Sequence, residues 1–137
     1  MAAVAFALLA EGCRSILPAS HYDYAVIVVN EGNEQIKVQD FLLFDNYVHN
    51  KVDVGLVAPN GIEGRAPYRF APKESVTIKW KSTVTKNTGK TTVTTKMPKE
   101  FTMKFGSELW FYINPEKESV RVAYRVLGGE LDPHFVK

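Results

Sequence analysis

Cysteine is almost missing from this chain: Cys13 is the only one in 137 residues. A single thiol excludes an internal disulfide and any cysteine-rich zinc site. Long apolar runs are also missing. The leader Met1–Ala10 is the longest apolar stretch, and it falls short of the ~20 residues that span a bilayer as a helix. Helical periodicity is scarce after residue 22, and no tandem repeat or low-complexity linker divides the chain. Charge of one sign is not in large excess either. The formal net charge is +2, built from five Lys/Arg and eight Asp/Glu in residues 1–72 and twelve and seven in residues 73–137. That bias can steer an acidic partner. It lacks the dense Lys/Arg patch of a phosphate-backbone binder, so no nucleic-acid partner is expected.

Catalytic and metal signatures are absent as well. His21, His49 and His134 stand at no metal-ligand spacing, and no H-E-x-x-H occurs. No G-x-S-x-G is present. Thr88-Gly89-Lys90-Thr91-Thr92 looks like the end of a phosphate-binding loop, but position 84 is Val and a Thr-rich strand follows where a helix is needed. It reads as a hairpin turn. Asp40, Asp45, Asp53 and Glu63 lack the spacing of a calcium loop and read as solvated charges. The expectation is a chain that is not an enzyme and holds no cofactor or metal.

What is present begins with the leader. Gly12-Cys13 closes an apolar run, Leu8-Leu9-Ala10-Glu11-Gly12-Cys13. A lipoprotein signal peptide ends this way, with a small residue before the cut and a thiol to carry the lipid. No Lys or Arg falls within Met1–Ala10, so a start upstream of Met1 would supply the basic n-region. The expected organisation is a signal-peptide remnant at 1–12, a lipidated Cys13 with a tether at 13–22, and one domain at 23–137; the alternative is a short apolar N-terminal helix or strand packed on the body, with Cys13 an ordinary buried thiol. Lipidation at Cys13 implies a periplasmic location on a bacterial membrane.

The domain reads as strands. Tyr24–Val29 is a β-branched run before Glu31-Gly32-Asn33-Glu34, and Ile36, Val38 and Phe41–Phe44 follow. The pattern predicts a hairpin whose first strand is central and buried on both faces. Asp45 to Pro72 is irregular and rich in Asn, Gly and Pro, with short strands expected at Lys51–Val57 and Tyr68–Phe70. Val76, Ile78 and Trp80 alternate with Thr77, Lys79 and Lys81, which is period two with one wet face. Lys86–Gly89 is expected to turn the chain into an edge strand at Thr91–Lys96. Phe101, Met103 and Phe105 form another strip, ahead of a core strand at Leu109–Ile113. Val120, Val122, Tyr124 and Val126 alternate up to Gly128-Gly129, and Leu131–Lys137 reads as a tail. Seven or eight strands at this spacing predict an all-β, antiparallel β-sandwich, immunoglobulin- or transthyretin-like, with a small barrel as the alternative.

Interface chemistry concentrates in the irregular region. Tyr47, His49, Arg65, Tyr68 and Arg69 fall together there, and Tyr and Arg are preferred interface anchors. The competing reading places Tyr68 and Phe70 in a core strand. Trp80 and Trp110 read as core, although on one exposed face they would suit sugar stacking.

Tyr24–Asn30 with Phe41–Phe44, Glu74–Trp80, Glu108–Pro115 and Val120-Arg121-Val122 before a Gly/Pro-bearing tail form a recognisable order. Over residues 24–135 the chain resembles small bacterial lipoproteins encoded beside type VI secretion lipase effectors, which serve as periplasmic immunity proteins. Where many of those proteins carry cysteines before the Trp strand, this chain has Ala66-Pro67-Tyr68. The resemblance implies a membrane-tethered sandwich that binds a secreted lipase effector and blocks it. Two other classes fit the same strands: a structural or assembly lipoprotein of an envelope machine, and a carbohydrate-binding module.

Overall fold

The computed structural model describes residues 23–46, 48–95 and 107–125, with Pro67 and residues 134–135 described as backbone alone. Within these residues the chain is an all-β sandwich of nine strands: β1 (Tyr24–Asn30), β2 (Ile36–Gln39), β3 (Leu56–Val57), β4 (Ile62–Tyr68), β5 (Ser75–Ser82), β6 (Thr88–Thr94), β7 (Ser107–Asn114), β8 (Ser119–Arg125) and β9 (His134–Phe135). One sheet runs β4-β1-β7-β8-β9 and the other β3-β2-β5-β6. All pairings are antiparallel except β1 with β7, which run parallel in the middle of the first sheet.

The core lies between the sheets and is made by alternation. Val26 and Val28 of β1, Ile36 and Val38 of β2, Val76, Ile78 and Trp80 of β5, and Leu109, Phe111 and Ile113 of β7 point inward and are buried. Phe41, Leu43, Phe44, Val52 and Val54 join them from outside the strands. Phe41 meets Phe111 edge to face at 4.9 Å. That geometry sets a positive ring edge against a negative face.

β1 and β2 do not form the expected hairpin; they belong to different sheets. The reason is Asn30, a fully buried side chain at the corner. Its Nδ2 donates to the carbonyls of Glu34 at 2.8 Å, Val57 at 3.2 Å and Ala58 at 3.2 Å, and its Oδ1 accepts from the Gly32 N–H at 2.9 Å. These bonds satisfy the corner's backbone groups internally, so the chain crosses between sheets without a ladder. β1 is central, as its apolar run suggests. Its outer residues Ala25, Ile27 and Val29 are only half-buried, so it is not enclosed on both faces.

The described residues of the irregular segment cover one side of the sandwich. Val52 N–H donates to Phe41 O at 2.9 Å, Val38 N–H to Gly55 O at 2.9 Å, and Arg65 Nη2 to Val54 O at 2.9 Å. Residues 51–55 therefore run between β2 of one sheet and β4 of the other. Gly55 allows the bend with φ of 77°. β4 shares only Tyr68 with the expected Tyr68–Phe70 strand; it runs from Ile62, and Arg69 and Phe70 lie beyond it. Gly64 and Pro67 hide it in the sequence, and both are tolerated because β4 is an edge strand with a register shift opposite Tyr24/Val26.

β6 begins at Thr88, three residues before expectation, because the turn closes earlier, at Thr83–Asn87, with Lys86 at φ 68°. Ser82 Oγ holds that turn by accepting from the N–H groups of Val84 and Thr85, each at 3.1 Å. Gly89 then lies directly over the Trp80 indole, where any Cβ would collide with the ring. The Thr-Gly-Lys-Thr sequence is thus strand, and its glycine serves packing. Residues 134–135, expected in a tail, form β9 beside β8. The expected strip at Phe101–Phe105 lies outside the described residues, as do Pro98, Val126 and Gly128-Gly129.

Candidate functional site

The side covered by residues 45–70 brings together most of the residues singled out by composition. The Asp45–Asn50 loop is held by local chemistry. Asn46 Oδ1 accepts from Val48 N–H at 3.0 Å and His49 N–H at 2.7 Å, an Asx arrangement that stands in for a backbone turn. Phe44 N–H donates to Asn50 O at 3.2 Å and Asp45 N–H to Ala71 O at 3.0 Å, which close the base of the loop. The loop presents Val48, 71% exposed, at its tip. His49 stacks on Phe70 with ring centroids 5.6 Å apart and planes 17° apart.

Phe70 and Tyr68 continue inward from this stack. Phe44 contacts Phe70 at 5.8 Å and Tyr68 at 4.8 Å, and Tyr24 lies 6.4 Å from Tyr68. Tyr24 Oη donates to Phe70 O at 2.5 Å, tying β1 to the chain after β4. Tyr68 is half-buried and packs against the core. Burial holds the Tyr68 phenol above its usual pKa of 10.0; the Arg65 guanidinium works against this and the Asp53 carboxylate adds to it.

Arg65 lies across the edge of the sandwich, bonded to Val54 O, to Gly64 O at 2.7 Å and to Glu63 Oε1 at 3.2 Å. It fastens the covering segment to β4. Arg69 reaches solvent, with its side chain 64% exposed and Asp23 3.9 Å away. Tyr47 and Cys13 lie outside the described residues. Elsewhere, Leu56 on β3 lies opposite Lys37 and Ile62 on β4 opposite Val29, on the outer faces of the two sheets, and they are 50% and 58% exposed. Sequence reasoning missed these two and Val48, because nothing in a short apolar residue's neighbours shows which way it faces on an edge.

Two further surfaces carry chemistry. A cleft of about 270 Å³ opens where the β1–β2 corner meets the β5–β6 and β7–β8 turns, lined by Glu34, Trp80, Thr85, Asn87 and Glu116 among others. The Glu34 carboxylate is engaged: its Oε1 accepts from Ser82 Oγ at 2.6 Å and Thr85 Oγ1 at 3.1 Å. Trp80 is core, as expected, but Trp110 is not. It stands on the outer face of the β4-β1-β7-β8-β9 sheet beside Tyr112, ring centroids 5.8 Å apart and planes 16° apart. Arg125 lies over the Trp110 ring at 5.7 Å and Arg121 over Tyr112 at 5.1 Å. Glu108 Oε1 accepts from Trp110 Nε1 at 3.1 Å and pairs with Arg125 at 2.6 Å, while Glu31 pairs with Arg121 at 2.6 Å. This ladder of charge and ring replaces the core role read from the sequence.

Among the described residues no three His, Cys, Asp or Glu side chains gather as a metal site, and no helix is long and apolar enough to cross a membrane. No protein-family model, curated protein or solved structure matches the chain.

Proposed function

We propose that this chain is a binding protein that docks a partner protein through the side formed by residues 45–70. More specifically, it is a membrane-anchored periplasmic immunity protein that blocks a secreted lipase effector of type VI secretion. The observation that carries the docking reading is the Asp45–Asn50 loop: an exposed apolar tip, Val48, held by the Asn46 cap and the His49–Phe70 stack beside the exposed Arg69. Such a loop loses little conformational freedom on binding, which favours affinity. Arginine and aromatic anchors suit an interface centre. The effector reading adds the order of strands that resembles the immunity lipoproteins. Inhibition by occlusion requires contact only, and a standard-size interface is sufficient for tight inhibition.

The test is capture on the immobilised full chain from the secreted fraction of the source organism, followed by a phospholipase assay of what is bound. Val48→Asp and Arg69→Glu are expected to weaken capture at least about tenfold, the scale of a residue contributing more than ~1 kcal/mol to an interface. Undiminished capture by both variants, together with Tyr47→Ala, Arg65→Ala and Tyr68→Ala, removes this side from the interface. Recovery of resident envelope proteins alone supports an assembly lipoprotein instead. A carbohydrate module is the reading favoured by the paired Trp110 and Tyr112 rings; quenching of Trp110 fluorescence by glycans, lost in Trp110→Phe, is its signature.

A further inference from the structure

The outer face of the β3-β2-β5-β6 sheet concentrates positive charge. Ladder register sets Lys37 directly opposite Lys81, and Lys79 directly opposite Lys90. These residues alternate with the buried Val38, Ile78 and Trp80, so all four project from the same wet face. Neighbouring strands are about 4.8 Å apart, and alternate residues along a strand about 7 Å. The four ammonium groups therefore share a patch about as wide as one or two Debye lengths at physiological salt. Asp40 is the single acid in contact, 3.3 Å from Lys79. Among the described residues no carboxylate pairs with Lys37, Lys81 or Lys90. The face carries a net +3, more than the +2 of the entire chain.

Like charges set directly opposite on adjacent strands are destabilising. A sheet that retains two such pairs side by side offers a complementary partner the release of that repulsion. We propose that this face binds an anionic lipid surface. The chemistry of the patch selects that partner among polyanions. Its cations are all lysine, compact point charges on flexible stems, accompanied by the hydroxyls of Thr77 and Thr92, 2.7 Å apart. Among the described residues no arginine and no aromatic residue stands on it, and its one large apolar side chain is Leu56, opposite Lys37. Protein interface cores are depleted in lysine and anchored by Trp, Tyr and Arg. Single-stranded nucleic acid needs rings for base stacking, and duplex recognition favours arginine and a groove-shaped element. A broad, ring-free, lysine-bearing sheet face fits a planar array of headgroups, where each lysine contributes independently. The inference does not depend on the identity of any protein partner.

The experiment uses the full chain, purified unlipidated with Cys13→Ser, so that a covalent lipid contributes nothing. Partition is measured onto phosphatidylcholine vesicles with and without phosphatidylglycerol, at ionic strengths of about 0.1 M and about 1 M, where the Debye length falls from about 10 Å to about 3 Å. The expected result is a preference for the phosphatidylglycerol vesicles at low salt that disappears at high salt. Each lysine contributes about fivefold in partition at such a surface. The variant Lys37→Gln, Lys79→Gln, Lys81→Gln, Lys90→Gln should lose that preference by at least about a hundredfold. It should melt no lower than the parent, since two repulsive pairs are removed. Lys117→Gln, at the β7–β8 turn of the other sheet, should leave the preference intact. Equal binding to both vesicle types, or a preference retained by the quadruple variant, overturns the proposal. Tighter binding to duplex DNA or polyglutamate at matched anionic charge, lost in the same variant, overturns the lipid assignment.

Discussion

Asn30 shows how much one side chain can decide. Its amide satisfies three carbonyls and an N–H at the corner where the chain leaves one sheet for the other. Asn30→Ala removes these bonds; Ala58 O keeps the Gly61 N–H at 2.9 Å, and each buried group left without a partner costs ~1–3 kcal/mol if no water reaches it. We expect a loss of about 3 kcal/mol in urea unfolding, against less than about 1 kcal/mol for Asn114→Ala, whose Oδ1 accepts one exposed turn bond. Gly89 is the packing counterpart. Gly89→Ala drives a methyl into the Trp80 ring. The expected cost is about 1–3 kcal/mol, the usual range for overpacking, with Trp80 emission shifted to the red. Wild-type stability and emission in that variant would show the contact to be slack. Tyr68 carries a pH signature. Its folded pKa lies above the unfolded value of 10.0, so the unfolded chain releases the proton first as pH rises. The contribution is present in full below pH 10 and is lost as pH climbs through the folded pKa. The difference titration between wild type and Tyr68→Phe should contain a phenol ionising above the ordinary range; one ionising at the ordinary value contradicts the burial argument.

Secondary elements differ in how plainly their sequences announce them. β5 alternates cleanly and is legible residue by residue, because one of its faces is core and the other wet, whereas β7 is legible as a strand but not in which way each residue faces. The Thr-rich edge strand was legible as an edge, although its start was displaced by the need to seat Gly89 over Trp80. β4 was hidden, since Gly64 and Pro67 read as loop until the strand is known to be an edge with a bulge. The β1–β2 hairpin failed for a non-local reason: Asn30 bonds to Val57 and Ala58, residues no local pattern connects to it. Trp110 failed for a related one, since a Trp between Leu109 and Phe111 looks apolar on both sides, and only the Glu108, Arg121 and Arg125 positions reveal its outward face. Of the candidate site, Arg69 and His49 are exposed, while Tyr68 is shared with the core. The covering segment 51–57 gives a prediction at this scale. Val52 and Val54 are its buried anchors. Truncating each to Ala should cost about 2 kcal/mol in stability and raise amide exchange through residues 51–57. Val48→Asp, at the exposed loop tip, should alter stability by less than about 0.5 kcal/mol. A Val48 variant as damaging as the Val52 one would mean that the tip is structural and unsuited to docking.

The whole molecule assigns different chemistry to different sides. One edge carries the capped loop with the exposed Val48, one sheet face carries the lysines, and the opposite face carries the ring and arginine ladder. A protein tethered at a membrane and facing an incoming enzyme would use such a division: the edge for its partner and the basic face for the lipid. The separation also makes the two roles experimentally independent, because Val48 and Arg69 are not on the lysine face. The central claim is that the edge binds and silences a lipase. Its most direct measurement is titration of the purified full chain into the phospholipase activity of the secreted fraction from the source organism. The account predicts a stoichiometric fall in activity that Val48→Asp and Arg69→Glu together displace to higher concentration. Activity unchanged at every concentration of the wild-type chain, or inhibition identical in the double variant, would contradict it.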